Sequence, residues 1–302
     1  MNKLSKKHHY LPRHYLRGFT NEKGTFFVYD KKSDKITERT PDNAFFENNL
    51  NTITFKDGRR SDFMENTYAY FERKSWVALD KIRASSSISP VDLMDKLDLF
   101  LFLLFLHWRI PANLKVIEDI SNAAFDDKKE LNFFSVVEKN GQKVSKETLD
   151  LIKNDESFKK ALRLILPFAP FGKDKNWQND VIKWRFLYPA DNKNWYIVGD
   201  NPIITEGVYD NNPTKCLKEF VFPVSGKILL ISTNPPPINQ EFPPSLIIEY
   251  NVALIQKADR FVAGPDRDLL ESLVKYYKFH ENYGKTQIII SRLFQELNPK
   301  KK

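Results

Sequence analysis

The chain has 302 residues, 41% of them hydrophobic and 14% aromatic, with 24 phenylalanines. That supply of core-forming side chains excludes disorder over most of the length. A single cysteine, Cys216 in a loop-like Asn-Pro-Thr-Lys-Cys-Leu-Lys stretch, excludes an intrachain disulfide and a cysteine-based zinc cage. The net charge of +8 sits at the two ends, because Lys3, Lys6, Lys7, Arg13 and Arg17 precede the first acid and Lys300, Lys301 and Lys302 close the chain. The body between them is neutral, so the basic pI reports charged ends and not a basic surface overall. The N-terminus lacks an apolar stretch of the secretory kind, and the longest apolar run, 99–106, falls well short of the roughly 20 residues of a membrane span. These features point to a soluble protein without a membrane partner, in a reducing cytoplasmic compartment.

In chain order, residues 1–20 form a basic, aromatic arm. Strands are expected at 25–30 and 35–40, joined as a hairpin through 31–34, and at 51–55, closed by the turn residues Asp57 and Gly58. Asp62 followed by Glu65 reads as a capping box opening a helix, with Met64, Tyr68, Phe71, Leu79 and Ile82 on one face. Ser89-Pro90 reads as the start of a second helix, which carries the run 99–106 and stops at Ile110-Pro111. Being apolar on every side, this helix belongs at the centre of the fold.

Further helices are expected through 171, with Asn140-Gly141 as a turn and an amphipathic segment at 156–166. From about 180 the pattern becomes β-rich, with strands expected at 181–188, 194–198, 218–224, 227–232 and 246–249 and a proline-marked loop at 235–244. A short helix from about Asn251, a longer one at about 265–277, and a strand or terminal helix at 286–291 complete the chain. The order gives an α+β fold: an N-terminal β-hairpin, a central helical segment at about 61–171, and a C-terminal β region at about 180–265 with terminal helices. Residues 1–302 are expected to form a single compact unit.

The N-terminal arm holds the densest chemistry. His8 and His9 are residue types for acid–base work near neutral pH or for metal ligation, and Arg13 is suited to bidentate phosphate recognition. Read without chemistry, the same segment is an arm whose aromatics pack on the core while its imidazoles bond the backbone. Asp200-Asn201-Pro202 follows a strand; it reads either as cleft chemistry, with Asp200 a metal ligand, base or histidine orienter, or as an Asx turn. Arg109 closes the apolar helix, where a cation suits the helix dipole. If buried, its charge needs an acceptor, and Asp200 comes first and Glu47 second. A phosphate-binding glycine loop, a Gly-x-Ser-x-Gly elbow and a His-Glu-x-x-His motif are absent from the sequence.

The run His8-His9-Tyr10-Leu11-Pro12-Arg13 and its continuation through Phe19, together with Arg109-Ile110-Pro111 and Asp200-Asn201-Pro202, resembles the signature of a largely bacterial family, domain of unknown function 4238. Phe222-Pro223-Val224-Ser225, Asn251 and Ala258-Asp259-Arg260 extend the resemblance over roughly 8–265. Where that family often carries serine before the aspartate, this chain has Gly199. The resemblance implies no activity and directs attention to the motif residues.

The functional expectation is a phosphodiester-acting, nuclease-like effector of bacterial conflict or phage defence. Its candidate site comprises His8, His9, Arg13, Arg109, Asp200 and Asn201, with a divalent metal as candidate cofactor and nucleic acid as candidate partner of the basic arm. The alternatives are a non-catalytic binding or interaction module and a small-molecule hydrolase. If the enzyme reading holds, His8, His9, Arg109 and Asp200 converge although nearly two hundred residues separate them.

Overall fold

A computed structural model describes residues 6–55, 57–85, 91–124, 144–153, 155–173, 177–189, 193, 195–205, 217–234, 244–284 and 288–298. Cys216, Ser89-Pro90, Asn140-Gly141 and the prolines at 235–237 lie outside them.

The N-terminal part contains β1 (Lys7–His9), α1 (Arg13–Leu16), β2 (Phe26–Asp30), β3 (Lys35–Arg39), β4 (Phe46–Asn48), β5 (Ile53–Thr54) and β6 (Arg60–Ser61). The helical part contains α2 (Phe63–Ala84), α3 (Leu93–Arg109), α4 (Leu114–Ala124), α5 (Lys146–Lys153), α6 (Glu156–Ile165), α7 (Ala169–Lys173) and α8 (Trp177–Ile182). After it come β7 (Arg185–Leu187), β8 (Val198–Gly199), β9 (Ile204–Thr205), β10 (Phe220–Ser225), β11 (Ile228–Ser232), α9 (Pro244–Lys257), β12 (Phe261–Gly264), α10 (Arg267–Asn282) and α11 (Ile289–Leu297). The α+β arrangement is therefore as the sequence pattern requires.

Two four-stranded antiparallel sheets run in the orders β3-β2-β12-β8 and β7-β11-β10-β9, and the pairs β1-β4 and β5-β6 stand apart from them. The first sheet joins the N-terminal hairpin to strands more than 150 residues later. In that hairpin Phe26 faces Arg39 and Asp30 faces Lys35, and the connecting turn places Asp34 at φ 54°, a left-handed conformation that a short polar side chain tolerates.

Helix α3 is buried from Phe102 through Arg109 without a break, as its all-round apolarity demands. Its core includes Tyr10, Leu11, Tyr15, Leu16 and Phe19 from the arm and Phe222, Val224 and Leu230 from β10 and β11. Much of the arm motif is thus packing. Tyr15 stacks on Phe222 with centroids 5.3 Å apart, and its hydroxyl donates to the Pro223 carbonyl at 2.8 Å. Arg83 of α2 donates to the carbonyls of His14 and Tyr15, and a Cβ on Gly18 would lie only 2.6 Å from that guanidinium. A side chain at position 18 would therefore push the Arg83 guanidinium from its place beside these carbonyls.

Four local expectations are corrected. Helix α3 begins at Leu93 with Asp92 as its cap, the Asp92 carboxylate accepting from the Met94 N–H. The Asp62 side chain makes no capping bond, and Glu65 leaves the helix end to serve buried partners described below. Val181 and Ile182 end a helix, so the strand expected at 181–188 shrinks to β7. The strand expected at 246–249 is the first half of α9. Its run Leu246-Ile247-Ile248 is too short for periodicity to distinguish the two, and Pro244 at the first helical position with Tyr250 and Leu254 continuing the buried face favours the helix.

Candidate functional site

Strand alternation sets the orientation of the arm's histidines. In β1 the central residue His8 faces inward with 1% exposure, while Lys7 is exposed and His9 half-buried. His8 Nδ1 accepts the Asn51 backbone N–H at 2.8 Å, which leaves Nε2 to carry the ring proton of the neutral side chain. The same Nδ1 lies 3.4 Å from Glu65 Oε1, and the Asn51 amide donates to that oxygen at 2.5 Å.

The second Glu65 oxygen lies 3.8 Å from Arg109, whose guanidinium also pairs with Glu72 and sits 4.6 Å from the Tyr68 ring centre. Burial by itself would lower the Arg109 pKa, but Glu72 and Glu65 hold it above its ordinary value. Glu65, Tyr68 and Glu72 follow the three- and four-residue steps of one helix face, so α2 presents two carboxylates and an aromatic ring to α3. His8 and Arg109, a hundred residues apart, are therefore joined through Glu65.

Asp200 is not part of that junction. At the end of β8 its carboxylate accepts the backbone N–H groups of Asp259 at 2.8 Å and of Arg260 and Phe261 at 2.7 Å each. Burial pushes its pKa up, and the three N–H groups pull it back. No hydrogen bond or ion pair links Asp200 to His8, His9 or Arg109 among the described residues, so the expected Asp200–Arg109 pair is not formed. Glu47 is exposed opposite His8 and does not pair with Arg109 either. Asn201 is buried beside Asp200. The Gly199 position that departs from the family habit packs against α9, where a Cβ would come within 3.3 Å of the Ala258 side chain.

Arg13 is exposed and pairs with Asp42 at 2.8 Å. The His9 ring lies against Phe46, and its buried Nε2 has no hydrogen-bond partner. Burial, then Arg13, lowers its pKa. His107 is buried and held neutral, its pKa lowered to about 3 by desolvation and then by Lys257. Among the described residues no three His, Asp or Glu side chains are grouped to hold a metal ion, and no single helix is long and apolar enough to cross a membrane.

Sequence reasoning missed Asn51, Glu72 and, most consequentially, Arg163. On α6, Arg163 is 1% exposed; its Nε donates to the Trp108 carbonyl at 3.2 Å and its Nη2 to the Arg109 carbonyl at 2.6 Å. It thereby satisfies carbonyls that the end of α3 leaves open. Its Nη1 has no partner, and no carboxylate among the described residues forms an ion pair with it. Burial lowers its pKa and Arg109 lowers it further, so this cation is poorly compensated. The sequence signal was faint: a single arginine beside Leu162 in a strongly amphipathic helix.

Arg163 also lines a groove of about 550 Å³. Helix α4 contributes Lys115 and Glu118, α6 contributes Glu156, Lys159 and Lys160, and Asn49-Leu50 forms a further wall. Four cations face two carboxylates, and both carboxylates are engaged with Lys159, at 3.6 Å for Glu118 and 2.9 Å for Glu156. Lys160 donates to the Thr52 carbonyl at 2.9 Å, and burial, then Arg163, lowers its pKa. A larger recess of about 640 Å³ between α9 and α10 is mostly apolar, and its charged wall residue among those described, Glu249, is paired with Arg292.

Comparison with known proteins places residues 7–268 within a family described as protein of unknown function (DUF4238). No curated protein and no solved structure matches the chain.

Proposed function

The chain belongs to the DUF4238 family, and we propose from its own geometry that it binds a phosphate-bearing ligand in the groove between α4 and α6. The observation that carries this reading is Arg163, a buried guanidinium on the groove wall with one nitrogen unpartnered. Two of its nitrogens are fixed on carbonyls, which orients the planar group, and an anion in the groove offsets a charge that no carboxylate among the described residues pairs with. Lys115 and Lys160 add charge at the same wall, and the ammonium of Lys160, disfavoured by burial and by Arg163, gains most from a bound anion. The volume falls within the roughly 300–1,000 Å³ range of small-molecule sites.

Titration calorimetry with inorganic phosphate, pyrophosphate and nucleoside monophosphates tests the reading. Binding that weakens roughly tenfold in Lys115→Gln with unchanged melting temperature, and also weakens in Lys160→Gln at a temperature where that variant is folded, supports it. Absence of binding to all three ligands, or affinity indifferent to both substitutions, overturns it. Substitution of Arg163 is less informative, because that residue also caps α3.

A second reading, cleavage of a phosphodiester, is favoured by buried His8, whose Nδ1 is held by the Asn51 N–H in the segment that follows the Asn49-Leu50 wall. In this reading the nuclease-like effector of bacterial conflict or phage defence uses His8 once the 49–51 segment moves, because His8 is otherwise shielded. Incubation with labelled RNA and DNA, with and without divalent cation, decides it. Cleavage lost in His8→Ala but retained in Asp200→Asn at a temperature where both are folded supports the role of His8, and no cleavage under any condition removes it.

A further inference from the structure

The surroundings of the groove point to a more specific ligand. Asn49, on the groove wall, accepts a hydrogen bond from Arg60 Nη2 at 2.7 Å and donates its backbone N–H to the Lys6 carbonyl at 2.8 Å. Exposed Arg60 of β6 and the Lys6 backbone therefore adjoin the groove wall.

The β5–β6 hairpin docks on the same helix that carries Arg163. Ser157 donates to the Thr54 carbonyl at 3.3 Å and Lys160 to the Thr52 carbonyl at 2.9 Å. The next residue after this anchored pair, Phe55, is 45% exposed, with the Arg59 guanidinium 5.6 Å from its ring centre. A large aromatic ring held in water at the end of a strand anchored to the helix that lines a cationic groove is a combination used to stack a base while its backbone is neutralised. An acidic peptide would use the cations and leave the ring without a role.

Resting on the phosphate reading of the groove, we propose that the bound species is the phosphorylated end of a single-stranded nucleic acid. Its terminal phosphate lies in the groove with Arg163, Lys115 and Lys160, the adjoining base stacks on Phe55, and the next phosphate runs past Arg60. The interaction is non-covalent. Arg60 extends the path without reading sequence, because phosphate contacts position a strand and base-edge contacts specify it.

Fluorescence anisotropy with short single-stranded DNA and RNA, each with a terminal phosphate or a terminal hydroxyl, tests this beside calorimetry with a nucleoside monophosphate. The phosphorylated strand is expected to bind at least tenfold more tightly than the monophosphate and than the hydroxyl-ended strand. Phe55→Ala is expected to weaken strand binding roughly tenfold. Arg60→Gln is expected to reduce the slope of log affinity against log salt by about 0.7. Both variants should leave inorganic phosphate binding unchanged, since neither residue lines the groove. The DNA and RNA arms identify which strand is preferred, and tight binding of either upholds the inference. Monophosphate binding without any gain from a strand, equal binding of a blunt duplex, or full competition by poly-glutamate overturns it while the phosphate site stands. Loss of monophosphate binding as well would remove the underlying reading.

Discussion

Asp200 is the residue for which a structural role and a chemical role predict opposite results. Its carboxylate is 6% exposed and holds three consecutive backbone N–H groups, those of Asp259, Arg260 and Phe261, at 2.7–2.8 Å. Hydrogen bonds to a charged acceptor contribute about 1.5–3 kcal/mol each, against which stands the desolvation of the carboxylate. Asp200→Ala should therefore destabilise the protein by about 3–5 kcal/mol, a fall of roughly 5–8 °C in melting temperature for a chain of this size. Asp200→Asn should recover only part of the loss. One oxygen remains, while the new amide places N–H donors against N–H donors where Oδ2 accepted from both Arg260 and Phe261. Thermal melts monitored by circular dichroism, with urea titration as a second measure, give the answer. If Asp200→Asn and Asp200→Ala both melt within about 2 °C of the unsubstituted chain, the capping role is wrong and a chemical role for Asp200 regains its footing.

Three further outcomes follow from the same contacts. Glu72→Gln leaves buried Arg109 with only the more distant Glu65, and a loss of about 3–5 kcal/mol in urea unfolding is expected, whereas Arg13→Gln, at an exposed pair, should change stability by less than about 1 kcal/mol. Tyr15→Phe removes the hydroxyl from the buried Pro223 carbonyl and should lower stability by about 1–2 kcal/mol in the same assay. Stability should also fall with acid in two windows. His107, neutral in the fold with its pKa lowered from 6.5 to about 3, contributes stability that is complete above pH 6.5 and declines as pH falls towards about 3. Asp30, lowered from 3.8 to about 2 chiefly by its Arg260 hydrogen bonds, contributes stability present above 3.8 and lost as pH falls through about 2. Denaturation curves in which His107→Gln leaves the slope between pH 6.5 and 3 unchanged would contradict the first assignment.

Periodicity and turn chemistry alone determined the hairpin of β2 and β3, the length of α2, and the central place of α3, because each depends on residues close in sequence. The run 99–106 offers no polar face to solvent and must be covered on all sides, whatever covers it. The importance of the arm was legible too, although its chemistry was not. Tyr10, Tyr15 and Phe19 are core residues, and Gly18 makes room for Arg83, a demand that arises 65 residues later in the chain. The apolar run at 246–248 was ambiguous for the opposite reason: three residues carry too little periodic information to separate a strand from the start of a helix, and only its packing resolved it.

Which charged groups meet was beyond reach of the pattern. Arg109 needed an acceptor by simple electrostatics, but choosing Glu72 and Glu65 over Asp200 depends on the antiparallel packing of α2 against α3 and on the three N–H groups that had already occupied Asp200. Arg163 is the extreme case. Nothing local distinguishes it from a solvated helix cation, and its burial, its capping of α3 and its place on the groove wall exist only once α6 lies across the end of α3. Hydrophobic pattern fixes which face of an element is buried, whereas the partner of a buried charge is set by distances of a few ångströms between segments remote in sequence.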